Sequence, residues 1–142
     1  MSGIKMSDCK FYVYEEKRTV VCVIPNTSNM VLKFIQQHFR WNDIDIWWAS
    51  GGLTDKLEMP NSFIGKAICS KDDEWDEQTG RLIAFSRAKD KCYKSFFKRA
   101  NKLVHTYDQR LNDMITKFND FGLKLEMNRE ALEKKIEENL GK

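Results

Sequence analysis

Apolar residues follow two different rhythms along this chain. Up to Trp75 they come in short runs bounded by polar turns, and after Asp76 they recur at steps of three or four. In the first regime, Lys10 to Tyr14 and Thr19 to Ile24 are rich in Tyr, Phe and Val, which pack well on a pleated surface. Glu15 to Arg18 form a polar link between them, so the pattern predicts a hairpin that ends at Pro25. Asn26, Thr27 and Ser28 offer helix caps. Val31, Phe34, Ile35 and His38 then recur at helical spacing, which predicts a helix to about Arg40.

Ile44 and Ile46 alternate with acids within Trp41 to Trp48, which predicts a half-buried strand closed by Ser50-Gly51-Gly52. Leu53 to Asn61 reads as irregular or as a short hairpin arm. Phe63 to Ser70 reads as a further strand.

In the second regime, Asp76 is placed to cap a helix beginning at Glu77, and nearby acids complement the positive end of its dipole. Leu82, Phe85, Ala88, Cys92, Phe96, Ala100, Leu103, Tyr107, Leu111, Met114, Phe118 and Phe121 form one stripe, with no proline among them. A continuous helix over 77–121 runs roughly 65 to 70 Å. Such a helix either breaks near His105-Thr106 or projects and packs on a second chain, and the unbroken stripe favours projection. Gly122 reads as its stop. Asn128 then caps a short helix over 129–140 that folds back along the long one. The expected fold is α+β. A small antiparallel or mixed sheet with one helix occupies 8–75, and a helical part occupies 76–142, within one domain.

Composition agrees with a folded domain: 42% of residues are apolar and 32% charged, and 24 bases against 21 acids give a formal charge of +3. No run is apolar enough to span a membrane, and Met1 to Lys5 lack the character of a secretion signal. Cys9, Cys22, Cys69 and Cys92 show no C-x-x-C spacing. They are expected as reduced, mostly buried thiols rather than metal ligands.

The modest net charge conceals an asymmetry. Between Arg87 and Lys102 seven bases are opposed by Asp90 alone, just after the acid run Asp72, Asp73, Glu74, Asp76, Glu77. Arg87, Lys91, Lys94, Lys98 and Lys102 share one helical face. Like charges so placed cost a few tenths of a kcal/mol per close pair, and phosphates or an acidic partner surface offset that cost. A solvated face is the competing reading. Trp41, Trp47 and Trp48 lie beside the Gly-Gly turn. They fit a core, a protein interface or a stacking surface for a base, with turn amides near phosphate.

The acid run does not have the spacing of a calcium loop, and helix-start electrostatics explain most of it. His38 and His105 are the sole candidates for a base titrating near neutrality, and neither sits in a catalytic motif. The expectation is therefore no enzyme, no cofactor and no metal.

The stretch Gly65 to Ala88 has the skeleton G-x-A-x-C-x-x-x-D-x-W-D-x-x-x-G-x-x-x-A-x-x-R-A. It resembles a segment of small accessory proteins of bacterial phages and prophages, whose members often carry Phe where Trp75 stands. It covers about a sixth of the chain. Among such proteins it is most similar to the Thoeris anti-defence type, which sequesters a cyclic ADP-ribose signal without cleaving it. The resemblance implies a homo-oligomer in the cytoplasm of an infected bacterium, with a nucleotide pocket built by oligomerisation, and it transfers no ligand-contact residue.

For such a ligand, Arg81, Arg87, Lys91 and Lys94 are the candidate phosphate contacts, and Phe85, Trp47 or Trp48 the candidate stacking faces. The alternatives are an inhibitor that binds a host defence protein directly, with the acid run imitating nucleic-acid phosphates, and a nucleic-acid-binding protein.

Overall fold

The computed structural model describes residues 3–141. Strands β1 (Lys10–Tyr14) and β2 (Thr19–Pro25) form the expected hairpin, and β3 (Ser62–Ile68) pairs with the far side of β2. The sheet is antiparallel throughout, in the order β1-β2-β3. Two helices, α1 (Met30–Phe39) and α2 (Asp43–Ala49), fill the excursion between β2 and β3, and α3 (Glu77–Leu140) follows. The fold is α+β, with helices against one face of an antiparallel sheet.

The sheet alternates as a half-covered sheet should. Val20, Cys22, Ile24, Gly65 and Ala67 point inward and are buried, while Tyr12, Tyr14, Ile64, Lys66 and Ile68 point outward and are exposed. The inner face packs on α3 through a line of small residues. Gly80, Ala84, Ala88 and Cys92, four residues apart, are all buried. A Cβ added at Gly65 would land on the carbonyl oxygen of Ala84 and the amide nitrogen of Ala88, and one at Gly80 would lie 2.8 Å from Val20 Cγ2. Helix and sheet backbones therefore touch at Gly65. Val31, Ile35, Ile46, Ala49, Leu57 and Met59 close the core from α1, α2 and the loop before β3.

Two expected elements differ. Residues 43–49 are helix rather than strand. Asn42 Oδ1 accepts from the Asp45 amide at 2.8 Å, and Asp45 Oδ2 accepts from the Asn42 amide at 3.0 Å. This reciprocal cap and two acids in the first turn stabilise a helix start. Ile46 and Ala49, three apart, are the buried pair, and Ile44 is 75% exposed.

The second difference is Gly122, which does not stop the long helix. The helix continues to Leu140, 64 residues in all or about 96 Å, and no separate helix folds back. A glycine inside a helix costs only about 1 kcal/mol. The Leu, Lys, Glu, Met and Arg residues that follow favour helix, and nothing within 4 Å of the Gly122 Cβ position offers a surface to turn onto.

From residue 112 to 140 every residue of α3 is exposed. This arm is not polar. Phe97, Val104, Leu111, Phe118, Leu125 and Leu132 stand at intervals of seven, and Ala100, Tyr107, Met114 and Phe121 follow the first four at three. That is the seam of a coiled coil, with Phe118 69% and Leu132 59% exposed. Trp41 and Trp48 pack on it at Tyr107, and no other described segment covers it beyond Leu111. No helix among the described residues is long and apolar enough to cross a membrane.

Two alanine substitutions are expected to act in opposite directions. Gly65→Ala forces helix from sheet and lowers stability by about 3 kcal/mol, a fall in Tm of roughly 10 °C. Gly122→Ala fits a helix interior with open space around it, and it raises local helix stability by about 1 kcal/mol, read as slower amide hydrogen exchange over 115–130. Faster exchange there would instead mark Gly122 as a helix end.

Candidate functional site

The basic residues of α3 are sorted by which strand they meet. Arg87 and Lys91, one turn apart, reach around the open edge of β3. Arg87 Nη1 donates to the Lys66 carbonyl at 2.7 Å and Lys91 Nζ donates to the Ile64 carbonyl at 2.9 Å. These carbonyls lie on the unpaired side of an edge strand, so the two cations cap groups that would otherwise invite another strand. Lys94 lies one turn further on and pairs with Asp90 at 2.9 Å.

Together with Lys66 and Ile64 these side chains line an open trough of about 680 Å³, with four cations and one carboxylate. A guanidinium has five donors and an ammonium three, so each anchored cation keeps donors for an anion. Anchoring fixes them in place at little further entropic cost.

The other proposed site residues lie elsewhere. Arg81 pairs with Glu77 at 3.3 Å and stands over the Phe11 ring, 5.1 Å from its centroid, so it braces the start of α3 against β1. Phe85 is half-buried beneath the Lys89 ammonium. Trp48 packs edge-on against Tyr107 and carries the Arg110 guanidinium over its ring at 4.7 Å. Trp47 is exposed and packs beside Gly52. One chain therefore does not gather all seven residues into a pocket.

Nor are the Gly-Gly amides free for phosphate. Gly51 donates to the Trp48 carbonyl at 3.1 Å and Gly52 to the Trp47 carbonyl at 2.8 Å. With positive φ at both glycines they close the C-terminus of α2. Trp48 instead borders a second groove, of about 690 Å³, along α3 past Arg110, Met114 and Phe118 to Phe121.

Lys66 is the trough residue that sequence reasoning missed. Its signal was present in the alternation Ile64, Lys66, Ile68, which puts a cation on the outer face of β3.

The resembling motif is accounted for almost wholly by structure. Gly65, Ala67, Gly80, Ala84 and Ala88 make the helix–sheet contact. Asp76 caps α3, accepting from the Thr79 hydroxyl at 2.7 Å and from the Thr79 and Gln78 amides at 3.5 and 3.1 Å, and these bonds hold its carboxyl below the usual range. Arg18 donates to Cys69 Sγ at 3.2 Å and to the Asp73 carbonyl, pinning the acidic turn. Among the described residues no cluster of His, Cys, Asp or Glu is arranged to hold a metal ion. His38 stacks on Phe34 with ring centroids 4.3 Å apart.

The thiols divide by burial. Desolvation pushes Cys22 up to about 12 and Cys92 up to about 11, and it also raises Cys9. Cys92 Sγ contacts Met30 Sδ at 3.5 Å.

No family model matches this chain, and no curated protein or solved structure matches it.

The raised thiols predict a pH dependence with a definite sign. The folded state holds protons that the unfolded chain releases near pH 9. Their contribution to stability is therefore complete below that pH and is lost as pH rises toward 11 and 12. Tm is expected to fall more steeply above pH 9 in the native chain than in a Cys22→Ala, Cys92→Ala variant. At pH 8 a thiol reagent is expected to modify Cys69 before denaturation, and Cys22 and Cys92 only after it.

Proposed function

We propose that the chain is a non-catalytic binding protein that assembles with further copies of itself and holds a phosphate-bearing nucleotide in the trough of Lys66, Arg87, Lys91 and Lys94. The observation that carries this reading is the anchoring of Arg87 and Lys91 on the β3 edge, which holds two cations side by side beside two more. Neighbouring cations repel one another, and a diphosphate accepting charge-assisted hydrogen bonds from several of them relieves that repulsion.

In its narrower form, the protein is a phage-encoded counter-defence factor that sequesters a cyclic ADP-ribose-type signal in the infected cell without cleaving it, as the Gly65 to Ala88 resemblance implies. Sequestration needs affinity rather than a general base, and about 1 nM corresponds to roughly −12 kcal/mol. Tight small-molecule sites bury most of their ligand, whereas this trough is open on one side. A second copy placed along α3 is the natural wall.

A direct inhibitor of a host defence protein is the second reading. The uncovered apolar seam of the arm and the adjoining Trp48 groove favour it, because apolar faces of this kind mark protein contacts.

Calorimetry with cyclic ADP-ribose isomers tests the first reading. Binding with intact nucleotide recovered on heating is expected, weakened at least tenfold by Lys91→Ala combined with Lys94→Ala. Absence of binding removes the sequestration reading and leaves the protein inhibitor. A converted product makes the chain an enzyme.

A further inference from the structure

The trough offers cations but no flat surface for a base, and the tryptophans lie away from it. The outer face of the sheet is a flat surface that adjoins it. Strand pairing sets Tyr12 opposite Val21 and Val21 opposite Lys66. One row across the exposed face therefore runs aromatic, aliphatic, cation, over two interstrand steps or about 10 Å. Its cationic end is the trough itself. Tyr12 is 46% exposed, and Tyr14 stands two residues along on the same face.

We propose that this row is the base-binding half of the trough site, so that a nucleoside diphosphate or its conjugate lies across the sheet with its base on Tyr12 and Val21 and its phosphates on Lys66, Arg87 and Lys91. The inference rests on the trough being a phosphate site.

The charge distribution selects the occupant. Cations concentrate at the β3 edge, while the turn after Tyr14 is mixed, with Glu15 and Glu16 followed by Lys17 and Arg18. A ligand with charge at one end and an aromatic ring at the other matches that polarity. A second copy docked on the same face has to bury Lys66, an ammonium beside the trough cations.

Titration of the full chain with pyrophosphate and with ADP separates the two halves. Pyrophosphate probes the trough alone. ADP is expected to bind roughly five- to a hundredfold more tightly, the range that stacking of one base supplies. Tyr12→Ala is expected to bring ADP down to the affinity of pyrophosphate and to leave pyrophosphate itself unchanged, while Tyr12→Phe retains the difference. If pyrophosphate binds but ADP binds no better, or if Tyr12→Ala weakens both probes equally, the proposal is overturned and the trough stands. If neither probe binds, the trough and the proposal fall together. ADP binding that depends on Tyr12, with no binding of pyrophosphate, supports the stacking row and removes the trough as an independent phosphate site. A single-stranded oligonucleotide that binds more tightly than ADP and depends on Tyr12 overturns the small-ligand form.

Discussion

The structure depends on one close approach, the backbone of α3 lying against the backbone of β3 at Gly65. No side chain intervenes there, and none fits, because a Cβ would occupy the space of the Ala84 carbonyl and the Ala88 amide. Gly80, Ala84, Ala88 and Cys92 extend the contact as a groove in the helix surface that receives the inner face of the sheet. Packing this tight fixes where α3 lies and how it is rotated. Rotation in turn decides which residues of α3 reach the β3 edge. Arg87, next to Ala88 in sequence, emerges beside Lys66, and Lys91 emerges one turn later beside Ile64. The trough is thus a consequence of the core.

The same rotation explains how one helix serves two surfaces. Its apolar stripe follows steps of three and four, but a straight helix has 3.6 residues per turn, so a pattern repeating every seven residues drifts around the axis. Near the sheet the buried positions are Ala84, Ala88 and Cys92, at steps of four. Beyond Leu103, the last buried residue of the helix, the seven-residue series passes the half-buried Leu111 and leaves the globule at Phe118, Leu125 and Leu132. Asn128 and Lys135 interrupt that seam at the positions three after Leu125 and Leu132. Polar groups in such places set register between paired helices at some cost in stability.

Much of the fold was legible in the residues, and the limits of that legibility are physical. β1, β2 and β3 announced themselves by β-branched and aromatic runs between polar turns, and α3 by its stripe and the Asp76 cap. The α2 segment reads as a strand because Ile44 and Ile46 alternate with acids, yet the capping pair Asn42 and Asp45 outweighs a two-residue alternation. Gly122 reads as a stop but is none, because a glycine ends a helix only where the chain has somewhere to turn, and that depends on distant surfaces. The candidate site was half legible. Helical spacing grouped Arg87, Lys91 and Lys94, but strand pairing brings Lys66 to them, and no local pattern foretold that Trp47 and Trp48 would close α2 instead. The Gly65 to Ala88 motif carries packing and capping, which its spacing alone did not reveal.

In the proposed assembly the arm is half of an interface whose other half is a second copy of the chain. Sedimentation equilibrium across the micromolar range tests this most directly. A concentration-dependent mass at a multiple of 16.8 kDa is expected, reverting toward one copy when Phe118 and Leu125 are both replaced by Asp. A mass of one copy for the native chain at every concentration up to tens of micromolar, with the full helix content retained, would contradict it.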